Sequence, residues 1–246
     1  MSPVAPDGVS GGGFATTHWS LVARARGADP AARAALGELI RAYWYPVYAY
    51  FRRKTGSTDQ AEDLTQGLFI HLLEGNALAS LDPSRGRFRS FLIACCEHYL
   101  LNDRTRAAAQ KRGGGVAPLS LDLSHAEARY RVEPVDHLSA ERVYARTWAL
   151  DLLDASLRDV RGEYQTGGNV LLFERLTPTL TAAGDAPAYA EVAAECGMSL
   201  AAVKKAAQRL RERYREALRR RVASTLADGA GVDEEIRDLF EALASR

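Results

Sequence analysis

Residues 189 to 209 combine a tight turn with a cluster of cationic and amide side chains. Gly197 can adopt the left-handed conformation that such a turn needs, and Ser199 is placed to cap the helix that follows. On the outer face of that helix, small residues would let it enter a DNA major groove, and long polar ones would reach bases and phosphates. They are Ala201, Ala202, Lys204, Lys205, Gln208 and Arg209. The pattern predicts a DNA-binding helix-turn-helix, with an ordinary helical hairpin as the alternative.

The charged residues are strongly clustered although the net charge is only +1. Residues 85 to 112 hold seven basic and two acidic side chains, and residues 204 to 221 hold nine basic and two acidic ones. Residues 225 to 246 reverse the sign, with two basic and six acidic side chains. Two basic blocks in a neutral chain indicate two places that meet a polyanion, although either block alone could be a solvated face.

Residues that could do enzymatic chemistry are few and scattered. Cys95 and Cys96 are adjacent, so on a helix they point about 100° apart and suit one tetrahedral metal poorly. The sequence holds no phosphate-binding glycine loop, no nucleophile elbow and no pair of histidines at helical spacing. We therefore expect no enzymatic activity, no metal and no cofactor. The odd number of cysteines (three) favours a reducing, cytoplasmic compartment.

Apolar periodicity predicts that helices position these residues, without strands or internal repeats. The first helix, about residues 36 to 51, should be kinked or split at Pro46 and should end at Gly56. Further helices are expected to begin near Ser57, Phe88 and Ser139. The remaining predicted helices span residues 170–176, 189–196 and 199–226, and a short last helix has Ile236, Leu239, Phe240 and Leu243 as its apolar face.

The predicted fold class is all-α, with two small helical domains joined by a flexible linker. The Gly113–Gly115 run interrupts the helical pattern, and about twenty-five residues without a sustained period follow it. No apolar run is long enough to span a membrane, and the first thirteen residues do not resemble a signal peptide. The predicted division is a disordered segment 1–15, a first domain 16–112, a linker 113–138, a second domain 139–226 and an acidic extension 227–246.

Three segments resemble parts of bacterial RNA polymerase sigma factors, in the order in which those proteins carry them. Residues 60–69, QAEDLTQGLF, resemble the region 2.2 helix, and residues 88–106 resemble the promoter-melting helix that reads the −10 element. Residues 189–218 resemble region 4, which reads the −35 element. The whole is similar to the extracytoplasmic-function type, the minimal two-domain class of the sigma-70 superfamily. TTHWSL at 16–21 and YWYP at 43–46 resemble a planctomycete-like branch of that class.

The resemblance implies that the region 2.2 helix binds the core RNA polymerase, on the clamp helices of the largest subunit. The implied contact residues are Glu62, Asp63, Gln66 and Gly67. Both carboxylates would also favour a helix N-terminus without any partner, because they complement the helix dipole. Glycine at 67 departs from the acidic residue usual in the family, which implies that binding to the core enzyme is either weaker than typical or carried by other residues.

The resemblance also assigns DNA contacts to both basic blocks. Base capture during promoter opening needs aromatic or polar pockets and a basic wall. Residues implied for the −10 element and melting are Arg87, Phe88, Arg89, His98, Arg104 and Arg106, with Phe88 equally suited to the hydrophobic core. The six outer-face residues of the helix-turn-helix are implied for the −35 element. An anti-sigma factor is a further partner that the resemblance allows.

Two questions stay open at the level of sequence. A helix-turn-helix regulator that acts as a dimer without polymerase would explain the second domain equally well, and gel filtration would distinguish it from a monomeric sigma factor. The acidic extension could pack its apolar face on the second domain, or it could compete with DNA for a basic surface.

Overall fold

The computed structural model describes residues 22, 24–25, 29–74, 87–109, 123–132, 137–180, 188–226 and 231–244. Within these ranges the regular structure is helical and no strand occurs, so the predicted all-α class is confirmed. The main helices are α1 (Pro30–Thr55), α2 (Thr58–Glu74), α3 (Phe88–Ala109), α4 (Leu123–Val132), α5 (Ala140–Thr166), α6 (Val170–Leu176), α7 (Tyr189–Glu195), α8 (Leu200–Thr225) and α9 (Val232–Ala244). A 3₁₀ turn, Thr177–Leu180, follows α6.

Helix α1 begins and ends at the residues that local chemistry favours. The side chain of Asp29 accepts a hydrogen bond from the amide of Ala32 at 2.7 Å, and Gly56 ends the helix with a φ of 71°. The sequence allowed either a kink or a break at Pro46. The helix continues through this residue and is not split in two. Pro46 is buried, and the helix continues although proline cannot donate the backbone hydrogen bond of its position.

The larger hydrophobic core is built around α1. Tyr43, Tyr48 and Phe51 of this helix are fully buried, and α2 and α3 add Leu68 and Leu92. The aromatic rings supply much of the apolar area that stabilises the three-helix arrangement. This core fixes α2 and α3 side by side and so positions the candidate residues of the first basic block.

Helix α5 takes part in both hydrophobic cores. Tyr144 and Trp148 in its first half are buried in the core around α1, whereas Val160 and Tyr164 in its second half are buried in a smaller core with α7 and α8. The two predicted halves of the molecule are thus joined by one continuous 27-residue helix. The domain boundary at residue 139 stays a prediction, but packing extends across it.

The segment predicted as a linker contains helix α4, which packs on α1. Ala126 is buried, and Glu127 accepts hydrogen bonds from Tyr48 Oη at 2.7 Å and Arg52 Nε at 3.0 Å. Residues 123–132 are therefore helical although they lack a sustained apolar period, and the assignment of residues 113–138 as a linker stays a prediction. This helix depends on tertiary contacts. It has little apolar periodicity of its own, and it is held by the Glu127 carboxylate, whose partners come close only in the folded chain.

Several sequence predictions fall outside the described residues. They are the disordered segment 1–15, the motif at 16–21 and the Gly113–Gly115 run. Among the helices that the structure does describe, none combines the length and the apolarity that crossing a membrane requires.

Candidate nucleic-acid and polymerase interfaces

Helices α7 and α8 form the predicted helix-turn-helix geometry. Gly197 has a φ of 63°, a backbone conformation that is unfavourable for any residue with a side chain. The amide of Met198 donates a hydrogen bond to the carbonyl of Ala193 at 2.9 Å. Ser199 caps α8, since its hydroxyl accepts a hydrogen bond from the amide of Ala202 at 3.2 Å. The loop between α7 and α8 thus fixes the orientation of α8 and determines which side of its N-terminal part faces the solvent.

The two faces of α8 divide as the sequence predicts. Val203, Ala207 and Leu210 are fully buried in the smaller core. On the opposite face, Ala202 is half-buried and the other candidate residues are exposed: Ala201, Lys204, Lys205, Gln208 and Arg209. Within the described part of the chain, Lys204, Lys205 and Arg209 take part in no ion pair. Their cationic groups are therefore available to an anionic partner.

The second half of α8 uses its arginines differently. Arg221 donates two hydrogen bonds of 2.6 Å to the carboxylate of Asp159 on α5. The guanidinium of Arg213 lies 5.3 Å from the ring centre of Tyr164, also on α5. These contacts help to hold α8 against α5, so the second half of the basic block from 204 to 221 includes arginines that pair within the protein.

The acidic face of α2 is the candidate polymerase surface. Asp63 is exposed, and Glu62 and Gln66 are half-buried. Partial burial raises the pKa of Glu62, and the nearby carboxylates of Asp59 and Asp63 raise it further. Crowded carboxylates of this kind form an electronegative patch that a basic partner would stabilise.

Gly67 faces the protein's own α3 rather than a partner. A side chain at this position would collide with the Tyr99 phenol, whose hydroxyl occupies the place of a Cβ atom and whose Cζ lies 3.1 Å from it. The glycine is therefore needed for the close approach of α2 and α3. Its assignment as a polymerase contact is not supported by this geometry, and the signal that explains it, Tyr99, was missed at the sequence level.

Phe88 belongs to the hydrophobic core. It is 2% exposed and packs edge-on against Tyr43, with 5.1 Å between ring centres. A ring in this position cannot stack on a base, which corrects its place among the −10 candidates. Phe91 is half-buried and lies 5.9 Å from the Phe88 ring, in line with a core position.

The other −10 candidates do not form one exposed surface. Arg87 and Arg89 point to α9 and form ion pairs with its carboxylates. His98 is exposed on α3, with 3.1 Å between its Nδ1 and Asn102 Nδ2. The side chains of Arg104 and Arg106 lie outside the described residues.

A cavity of about 260 Å³ opens between α2 and α3. His71, His98, Tyr99 and Asn102 give it polar edges, and apolar residues such as Leu72 line the remainder. A partly apolar cavity with aromatic and amide groups has the chemistry that an unstacked base needs.

The thiols of Cys95 and Cys96 on α3 are poor nucleophiles. Burial raises the pKa of Cys95 to about 11 and raises that of Cys96 well above its usual range, so both thiols stay protonated near neutral pH. All three cysteines are free. In the described ranges, no three His, Cys, Asp or Glu side chains are grouped as metal ligands.

The comparison with protein families matches residues 39–110 to the model of sigma-70 region 2. This segment extends from the middle of α1 to the end of α3, and it includes both the acidic face of α2 and Arg87, Arg89 and His98. No curated protein and no solved structure gives a significant match to the chain. The match shows that residues 39–110 are similar to sigma-70 region 2, and it does not extend to the helix-turn-helix.

Proposed function

We propose that the chain is an extracytoplasmic-function type sigma factor, which binds core RNA polymerase and directs it to promoters by contacts with the −10 and −35 elements. The observation that carries this proposal is the region 2 match over α1 to α3. The helix-turn-helix of α7 and α8 supports it, because its exposed cations follow region 2 in the order that sigma factors require.

The polymerase contact is assigned to the acidic face of α2. Asp63 is exposed there and Gln66 is half-buried, so both side chains can reach a partner without unfolding the helix. The raised pKa of Glu62 indicates a carboxylate patch that a basic surface on the clamp helices would stabilise. Gly67 contributes by letting Tyr99 pack against α2, not by direct contact.

The DNA contacts are assigned to two separate surfaces. Lys204, Lys205, Gln208 and Arg209 on α8 would read the −35 element. The cavity beside His98 would receive an unstacked base of the −10 element, and basic residues of α3 would hold the phosphates.

A pull-down of bacterial core RNA polymerase tests the polymerase contact. We expect the parent chain to retain the enzyme and the Asp63→Arg and Gln66→Ala variants to lose it. Asp154→Arg is the matched control, since it makes the same charge change at an exposed position on α5. Circular dichroism verifies that each variant is folded.

The opposite result would support the rival function. A folded parent chain that binds duplex DNA but not core polymerase would be a helix-turn-helix regulator, and gel filtration would then be expected to show a dimer. Equal retention of the parent, Asp63→Arg and Gln66→Ala chains would place the polymerase contact outside α2.

A further inference from the structure

The acidic helix α9 lies on the N-terminal end of α3. The carboxylate of Glu235 accepts a hydrogen bond from Arg89 Nε at 2.7 Å and forms an ion pair with Arg87, whose Nε lies 2.7 Å from the nearer carboxylate oxygen. The Asp238 carboxylate contacts both guanidinium groups, and its Oδ2 lies 3.2 Å from Arg89 Nη2. The Oε1 atom of Glu234 lies 3.7 Å from Arg87 Nη2. Two arginines of the proposed DNA surface thus share three carboxylates of one helix.

The Glu235 end of this contact is buried, unlike most ion pairs at a protein surface. Glu235 is fully buried, and only 14% of the Arg89 side chain is exposed. The Arg89 guanidinium also lies over the Trp148 ring, 4.9 Å from its centre. In this conformation neither arginine can turn to a DNA phosphate without losing its carboxylate partners.

The sequence pattern of α9 is unusual for a helix that only completes a hydrophobic core. Leu239 is fully buried as its apolar periodicity predicts, but Phe240 is 52% exposed and Glu235 takes a buried position. The expectation of an apolar packing face is therefore correct only in part. A carboxylate is tolerated there because Arg87 and Arg89 compensate its charge.

Besides these ion pairs, α9 is anchored by apolar contacts: Leu239 is fully buried, and Val232, Ile236 and Leu243 pack against the larger hydrophobic core. Arg146 Nη1 donates to the carbonyl of Leu243 at 2.7 Å, and Asp233 pairs with Arg219 at the surface. A helix of 13 residues is marginally stable in isolation, so α9 depends on its docking contacts. Loss of the arginines to another anion would leave Glu235 buried without a cation and would favour the release of the whole helix.

We propose that α9 is an intramolecular competitor of DNA, whose carboxylates occupy the positions at Arg87 and Arg89 that phosphate groups would take. The inference rests on the proposed function, since it concerns the regulation of the same α3 surface. By linkage, DNA that binds these arginines weakens the docking of α9 to the same degree as docked α9 weakens DNA binding. The sequence had left open whether the extension packs or competes; the geometry points to a helix that does both.

Two conservative substitutions in the full-length chain test the competition. Asp238→Asn weakens the contact with Arg87 and Arg89, and Asp233→Asn makes the same chemical change in the same helix at the contact with Arg219. The probe is a fluorescein-labelled forked DNA duplex of arbitrary sequence at low salt, because phosphate contacts do not depend on sequence. Binding is measured by fluorescence anisotropy.

We expect Asp238→Asn to tighten DNA binding about threefold to tenfold, and Asp233→Asn to change it less than twofold. Hydrogen exchange gives a second readout: amides of residues 232–244 should exchange faster when the parent chain binds the forked DNA. Equal effects of the two substitutions would show that only net charge matters and would overturn the proposal. Unchanged exchange of α9 in the DNA complex would also overturn it.

Failure of the proposed function would look different. A parent chain that binds neither core polymerase nor forked DNA contradicts the sigma assignment, and the competition falls with it. A chain that binds both, with Asp238→Asn no tighter than the parent, contradicts the competition alone.

Discussion

The two basic blocks have similar compositions but opposite situations in the fold. On α8, Lys204, Lys205 and Arg209 extend into solvent and pair with no carboxylate of the described residues. At the start of α3, Arg87 and Arg89 are held by three carboxylates of α9. A count of charges therefore predicts where a polyanion can bind, but only the packing of other helices determines whether the cations are available.

The two basic surfaces therefore differ in when their cations become available to an anionic partner. Exposed cations on α8 can meet duplex DNA as soon as the chain encounters it, whereas the arginines of α3 become available only if α9 moves. Under the proposed function, the chain would therefore bind the −35 element first and the −10 element only after α9 has moved.

The largest effect should come from the exposed cations of α8. We expect the triple variant Lys204→Ala, Lys205→Ala, Arg209→Ala to lose about 10³-fold in duplex affinity at low salt, because each cation contacts phosphate or base. The slope of log Kd against log salt should flatten by about 3. The matched control removes three cations from the other half of α8: Arg219→Ala, Arg220→Ala and Arg221→Ala. Equal losses in both triples would show that the exposed half is not a specific reader.

The next effect concerns the covered arginines and is one of stability. The double variant Arg87→Ala, Arg89→Ala strands the buried Glu235 carboxylate and should lower the free energy of unfolding by about 3–5 kcal/mol in urea titrations. Adding Glu235→Leu should restore most of that loss, since an apolar group needs no cation. A double variant as stable as the parent would mean that the α9 contact is absent in solution.

The contact between α4 and α1 predicts a pH dependence. Hydrogen bonds from Arg52 lower the pKa of Glu127 to about 2, against burial, which acts in the opposite direction. A folded-state pKa below the unfolded value of 4.5 contributes stability above about pH 5, and this contribution is lost as the pH falls towards 2. We expect Glu127→Gln to cost about 2–3 kcal/mol at pH 7 and almost nothing near pH 2. A constant difference over this range in urea titrations would contradict the ion-pair assignment.

The smallest effect extends the comparison to α2, where Gly67 lies against Tyr99. Gly67→Ala should cost about 1 kcal/mol, because the collision with the Tyr99 phenol outweighs the gain in helix propensity. In a Tyr99→Phe background the same substitution should cost less, since the hydroxyl is absent. Stabilisation by Gly67→Ala in the parent, measured by thermal unfolding, would show that the two helices do not approach so closely.

Much of the fold could be predicted from local sequence. Ser139 and Ser199 cap helices, Gly56 and Gly197 mark positions of positive φ, and the apolar stripe of α8 is buried as its periodicity indicates. Local hydrogen bonds and side-chain spacing decide these features, so they can be inferred without knowing the partners. The exposed face of α8 follows from the same rule, as the side opposite a buried stripe.

Other features could not be inferred because they depend on residues far apart in the chain. Glu127 meets Tyr48 and Arg52 across 79 and 75 residues, and its helix lies in a segment without apolar periodicity. The helix at residues 123–132 could not be predicted for that reason, whereas the linker assignment stays a prediction.

The sequence by itself determined the helical class, the helix-turn-helix with its exposed cations, and the resemblance to sigma region 2. Only the tertiary structure decided that Phe88 is a core residue, that Gly67 accommodates Tyr99, and that α9 covers Arg87 and Arg89. The physical reason is that a helix specifies its own faces through its periodicity, whereas the charge available on a face depends on which other helix packs against it.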